Sequence, residues 1–153
     1  MYIGIDPGKT GALAVLDEKG KYLNVIDFDT KNVVLWMSEN ANAVSHGYLE
    51  HIHSMPEQGV VSTFNFGENF GWWKGVLDAV GISYTLVRPQ MWMHHYGLKK
   101  QSPSDKPGLV LARKLLPDAP ISLKKHHNRA DALLIAFLCW EREGAWKERK
   151  TYA

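Results

Sequence analysis

The first fifteen residues, MYIGIDPGKTGALAV, constrain the fold more than any other stretch of this 153-residue chain. Tyr2, Ile3 and Ile5 form a short apolar run that ends on a carboxylate, Asp6. Asp6-Pro7-Gly8 interrupts the run, and a second one resumes from Gly11 to Leu16. Pro7 fixes φ and cannot donate to a ladder, while Gly8 tolerates a left-handed turn, so the chain reverses there between two strands. A charge at a buried strand end costs free energy unless something pairs with it. A metal ion is one such partner. A simple turn cap by Asp6 is the other reading, and the motif alone does not choose between them.

The strand pattern continues. Runs at 2–6, 11–17 and 21–28, with Glu18-Lys19-Gly20-Lys21 as a tight turn, read as an antiparallel meander. Thr30 is placed to cap a helix reaching about Glu39, with Val33, Val34, Trp36 and Met37 as its apolar face. Ala43 to Glu50 reads as a fourth strand, and it too ends in a carboxylate. A glycine- and aromatic-rich segment from His51 to Gly71 leads into a helix ending near Val80. A fifth strand at Ile82–Val87 and a short helix opened by Pro89 follow. Gly97 to Pro107 is a polar, lysine-bearing loop, and helices near 107–116 and 128–143 complete the pattern. Three antiparallel strands followed by alternating helices and strands predict an α/β fold with a mixed five-stranded sheet. The length fits one domain, expected over residues 1–146, with 147–153 as a basic C-terminal tail.

Composition narrows the class. No apolar run is long enough to cross a bilayer, and the N-terminus lacks the basic segment and apolar block of a signal peptide, so no membrane partner is expected. The single cysteine, Cys139, lies in an apolar helical run and fits core packing in a reducing, cytoplasmic setting. Residues 1–86 hold five basic against ten acidic side chains, and residues 87–153 hold thirteen against six. The C-terminal half is thus suited to a polyanion, and the acidic half holds groups with another task.

A third acid of interest is Asp131, in His126-His127-Asn128-Arg129-Ala130-Asp131-Ala132-Leu133-Leu134-Ile135-Ala136. It interrupts an otherwise apolar helix start, with His127 at i−4 and Asn128 at i−3 able to share its face. Adjacent, parallel first and fourth strands would bring Asp6 and Glu50 out at one sheet edge. Carboxylates gathered in one cleft raise each other's pKa, and a hard divalent cation such as Mg²⁺ or Mn²⁺ relieves the repulsion. For Asp131 alone, a salt bridge to Arg129 or a helix N-terminal charge is the plain alternative.

Taken in order, strand-Asp6-Pro7-Gly8-x-x-Gly11, Glu50 ending the fourth strand, and Arg129 to Ala136 resemble the RuvC-like Holliday junction resolvases. His51 to Gly67 and Val87-Arg88-Pro89-Gln90-Met91-Trp92 resemble the branch found in bacteriophages and prophages. The likeness spans about Met1 to Leu138. It implies an RNase H-like fold, a homodimer, and Mg²⁺-dependent nicking of branched DNA, with the four-way junction as substrate and Asp6, Glu50 and Asp131 as metal-binding acids. At the fourth position of that site the family carries Asp or His three residues before the last acid, and this chain has Asn128. His127 is then the candidate proton-handling group or outer ligand. Met93 also departs, since a lysine is usual after that tryptophan.

Phe64 and Phe66 are candidate wedges for an opened junction, because a base gains about 1–3 kcal/mol by stacking on an aromatic. Trp73, Val76, Leu77 and Val80 have helical spacing and are expected in the core. Lys99, Lys100, Lys106, Lys124, Lys125 and Arg129 are candidate phosphate contacts, which position DNA without reading sequence. The paired histidines lack cysteine company and do not suit tetrahedral zinc. Other readings of the same residues are a nuclease for flaps, other branches or RNA-containing duplexes, a non-catalytic junction-binding protein, and a sugar-kinase or actin-like ATPase, which 153 residues are too few to complete.

Overall fold

The structure is a computed structural model that describes residues 1–53, 57–98 and 106–144. Five strands, β1 (Tyr2–Asp6), β2 (Ala12–Leu16), β3 (Tyr22–Asp27), β4 (His46–Glu50) and β5 (Tyr84–Val87), form one sheet in the order β3-β2-β1-β4-β5. β1 pairs antiparallel with β2 and parallel with β4, so it is the central strand and the expected mixed sheet is present. Among the described residues five α-helices flank it: α1 (Thr30–Asn40), α2 (Val60–Val80), α3 (Pro89–His95), α4 (Pro107–Leu115) and α5 (His127–Cys139). Among the described residues no helix is long and apolar enough to cross a membrane.

The two-residue period of a strand divides β1 between two cores. Ile3 and Ile5 face α1 and α2, packing with Val33, Met37, Trp73 and Leu77. Tyr2 faces the other side, where α4 and α5 bury Leu109, Ala112, Leu133, Leu134 and Cys139. Gly4 and Asp6 share the parity of Tyr2 and therefore point toward α5. β4 repeats the division: Leu49 joins the first core and Tyr48 the second, so Glu50 also lies on the α5 side. The register pairs Gly4 with Tyr48 and Ile5 with Leu49, which brings Asp6 level with Glu50.

Gly4 sets how close α5 can come. A Cβ there would run into the backbone of Ala132 and Ala136, with the Ala136 Cα only 2.7 Å away. Those two alanines stand one turn apart on the same helix face, so glycine and alanine together let a helix rest on a strand almost backbone to backbone.

Several expectations need correction. α1 is capped by Asp29, whose side chain accepts from the Asn32 N–H, and Thr30 is already helical. β4 begins at His46, after a 3₁₀ turn over Ala41–Ala43. The largest difference is α2, which begins at Val60, so most of the segment read as loop up to Gly71 is helix. Gly67 and Gly71 disguise it, since each costs a helix about 1 kcal/mol relative to alanine. Burial of Asn69, Trp73 and Leu77 at four-residue spacing holds it. Cys139 is a buried free thiol, as expected. Lys99, Lys100 and the tail over 147–153 lie outside the described residues.

Replacing Gly4 with alanine is expected to push α5 off the sheet and lower stability by about 1–3 kcal/mol, the usual cost of overpacking. A urea-unfolding midpoint unchanged by Gly4→Ala would contradict this packing.

Candidate active site

The turn after β1 is held from three directions. Gly8 takes φ +127°, and the Gly11 N–H donates to its carbonyl at 3.0 Å. A Cβ on Gly11 would press on the Asp6 and Pro7 backbone, so the turn closes only over glycine. From across the molecule Asn69 of α2 accepts the Gly8 N–H on Oδ1 at 2.7 Å. Asn69 is only 9% exposed. This turn is why Asp6 is presented at the sheet edge in one orientation.

Glu50 is fixed by a different element. Pro89 opens α3 at its first turn, and the buried Trp92 on that helix donates its indole N–H to Glu50 Oε1 at 2.8 Å. Asp6 and Glu50 are themselves in side-chain hydrogen-bonding contact. Burial pushes the Asp6 carboxyl well above the ordinary range, and the charges of Glu50 and Asp131 push it further. Burial raises Glu50 as well, and its bonds to Trp92 and Asp6 oppose that rise.

Asp131 lies near the start of α5, close enough to Glu50 for its charge to be felt. Burial first and Glu50 second raise its pKa to about 7, against a lowering influence from Lys106. It stands on the α4 side, where a Cβ on Gly108 would come 3.0 Å from its Oδ1. The structure thus brings the three acids to one region as a bonded pair, Asp6 and Glu50, with Asp131 at electrostatic range. Among the described residues no three His, Cys, Asp or Glu side chains converge in cation-holding geometry. The donor set nevertheless suits a hard divalent cation: it is all oxygen, and its charges are buried and mutually repulsive. The upward shifts of all three carboxyls mark negative charge that the surrounding protein leaves poorly compensated.

A cleft of about 880 Å³ opens over this pair, lined by Asp6, Glu50, Thr10, Asn128 and the Ser62, Asn65, Phe66 and Asn69 face of α2. Asn128 donates its amide to the Thr10 carbonyl at 2.7 Å and hydroxyl at 2.9 Å, tying α5 to the turn after β1. His127 is held below its usual pKa by burial and by Lys106, with a hydrogen bond to Asn128 opposing. Phe66 lines the cleft at 43% exposure, and Phe64, at 70%, projects from the same helix.

The cations divide. Lys106 acts electrostatically on both Asp131 and His127, which places it beside the acids. Lys124 and Lys125 occupy the exposed 3₁₀ turn before α5. Arg129 is spent internally: its guanidinium makes two 2.6 Å bonds to Asp27 of β3 and one to the Pro120 carbonyl. The guanidinium thus pairs with Asp27 and not with Asp131, against the Arg129–Asp131 salt bridge offered as the plain alternative. Trp92 and Asn69 are positioning residues whose role the sequence reading missed. The available signals were a buried indole N–H, which needs a partner, and a polar residue on the Trp73–Leu77 stripe.

No family model matches the chain. A stretch of 93 residues, 60% of this chain, is 34% identical to the chloroplastic Holliday junction resolvase MOC1 of Chlamydomonas reinhardtii, and covers 10% of that protein. Two solved structures of Thermus thermophilus RuvC superpose on it at 18% identity. RuvC in complex with a Holliday junction substrate gives a TM-score of 0.64, covering 93% of this chain and 94% of that one. RuvC by itself gives 0.60, covering 93% and 95%.

In the folded chain Asp131 binds its proton near pH 7, against 3.8 for a free aspartic acid. Between those values the folded state holds more protons than the unfolded one, so stability falls as pH rises through the window. In chelator, the melting temperature is expected to fall between about pH 4 and pH 7, less steeply in Asp131→Asn. Equal slopes for the two proteins would contradict the burial of that charge. The sheet order, the helices about it and the superposition give this chain the RNase H-like fold of the RuvC resolvases.

Proposed function

We propose that this chain is a divalent-metal-dependent endonuclease that resolves four-way DNA junctions. The observation that carries the reading is the Asp6–Glu50 pair, delivered level by two parallel strands, with Asp131 brought to the same face by α5. The RuvC-like fold and the 34% identity to a named resolvase support it. The aligned stretch is a tenth of that relative, so activity and substrate are inferred.

Asp6, Glu50 and Asp131 would hold Mg²⁺ or Mn²⁺, which when bound supplies water activation and stabilisation of the departing 3′ oxygen. Trp92 orients Glu50, and Asn69 orients the turn that carries Asp6. His127, whose pKa is lowered from 6.5, is neutral at pH 7 and suited to accept a proton. Lys106, Lys124 and Lys125 supply cations for the strand backbone.

A second reading, junction binding without cleavage, is favoured by Asn128, whose amide is committed to Thr10 at the position where the family carries an ionisable group. A homodimer suits a two-fold junction. Its support is the outer face of α2, where Val60, Phe64, Gly67, Gly71 and Gly75 are exposed at helical spacing.

Asp6→Asn and Asp131→Asn are each expected to reduce Mg²⁺-dependent nicking of a synthetic four-way junction by more than about 100-fold, with binding retained. Undiminished nicking by both variants refutes the nuclease reading, and binding without nicking by the unsubstituted protein supports the second. Gly71→Arg, on the exposed face, is expected to convert a dimer to monomer in light scattering without changing the melting temperature by more than about 2 °C.

A further inference from the structure

Glu50 ends β4, and the chain continues through His51, Ile52 and His53 along the outside of α3. On that side, separated from the acid cleft only by this segment, a second cavity of about 780 Å³ opens. Ile52 and Phe66 line both spaces, so they form the wall between them. Its apolar lining is Ile52, Phe66, Pro89, Met93 and Leu98, and Gln58 and Gln90 add amide groups. It runs into a wider cleft of about 1000 Å³ that shares His51, His53, Gln90 and His94 with it and adds Arg88, His95 and Arg142. Among the described residues no carboxylate lines either space.

We propose that this composite cavity is a nucleotide-binding subsite that receives one unstacked nucleotide of the bound DNA strand, next to the nucleotide whose phosphate is cut. The inference rests on the nuclease reading above. Three features select this occupant. The apolar end matches the face of a nucleobase, and its amides can meet a base edge in either donor or acceptor sense. The mouth is lined by Arg88 and Arg142, whose guanidinium groups suit the phosphate of a nucleotide. The cavity adjoins the acid cleft across the Ile52–Phe66 wall, and His51 on its rim follows Glu50 directly, with consecutive Cα atoms about 3.8 Å apart. A strand threaded past Glu50 therefore meets this opening next. The apolar end alone, about 780 Å³, falls within the range of small-ligand pockets and has room for one nucleotide. Met93 stands inside the cavity, at the position where a lysine was expected. Its flexible thioether chain adds to the apolar end.

The test uses a four-way junction in which each nucleotide flanking the nicked phosphate is replaced in turn by an abasic unit, with binding measured in Ca²⁺. One abasic position is expected to weaken binding by the unsubstituted protein by about tenfold, equivalent to about 1.4 kcal/mol. Met93→Trp fills the cavity, and Gln90→Glu places a negative charge at its exposed rim. Both are expected to bind intact and abasic junctions equally, and both should lose the fluorescence change of a 2-aminopurine placed at that nucleotide. Equal binding of the intact and every abasic junction by the unsubstituted protein overturns the subsite. So does an undiminished 2-aminopurine response in a folded Gln90→Glu protein. An abasic effect without Mg²⁺-dependent nicking overturns the nuclease reading and leaves the subsite standing.

Discussion

The contact on which the rest depends is the approach of α5 to β1 at Gly4. A strand with any larger residue there would hold the helix away by the depth of a side chain. Asp131 would then be carried from the edge where β1 and β4 present Asp6 and Glu50. Ala132 and Ala136 complete the arrangement from the helix side. The contact is a packing device, yet its consequence is electrostatic: it places a third carboxyl within the field of the first two, in an environment too dry to screen them. Proximity here is set by the smallest side chains in the molecule.

The three acids are supported unequally. Asp6 depends on a turn stitched by backbone bonds and by Asn69. Glu50 depends on the Trp92 indole and on its bond with Asp6. Asp131 is held by burial and by helix position, and among the described residues it receives no hydrogen bond comparable to that of Trp92. A carboxyl that keeps its proton to about pH 7 is one whose ionised form is poorly served by the protein alone. Such sites are costly to fold and useful only when a counter-charge arrives, which ties binding of a cation to stability as well as to chemistry.

Much of this was legible from the sequence because it is local or periodic. A strand broken by Asp-Pro-Gly, a second strand ending in Glu50, and an acid interrupting an apolar helix at Asp131 are all patterns of short range. The mixed sheet followed from the order of those elements. What escaped was carried by long-range pairing. Trp92 finds Glu50 across 42 residues, and Arg129 finds Asp27 across 102. Neither composition nor spacing reports such a partner. The start of α2 escaped for another reason: its glycines argue locally against helix, and only the buried face, fixed by tertiary packing, argues for it. Phe64 and Phe66, the candidate wedges, are exposed, and they project from a helix and not from a loop.

The fate of Arg129 bears on how the positive half of the chain is to be read. Thirteen basic residues after position 86 suggest a broad cationic surface. Yet Arg129 is bonded to Asp27 and Pro120, and Arg113 to the carbonyls of Ile121 and Ser122. Arginine is the better residue for such work, since its planar fork satisfies two acceptors at once. Lysine carries a point charge on a flexible stem and is more readily left to solvent. The arginines on α4 and α5 thus fasten the C-terminal helices to the rest of the fold. Lys106 beside Asp131, and Lys124 and Lys125 before α5, remain to meet an anion. A charge count overstates the polyanion-binding surface wherever arginines serve as internal fasteners, and in this chain the overstatement falls on the helix that carries the third acid.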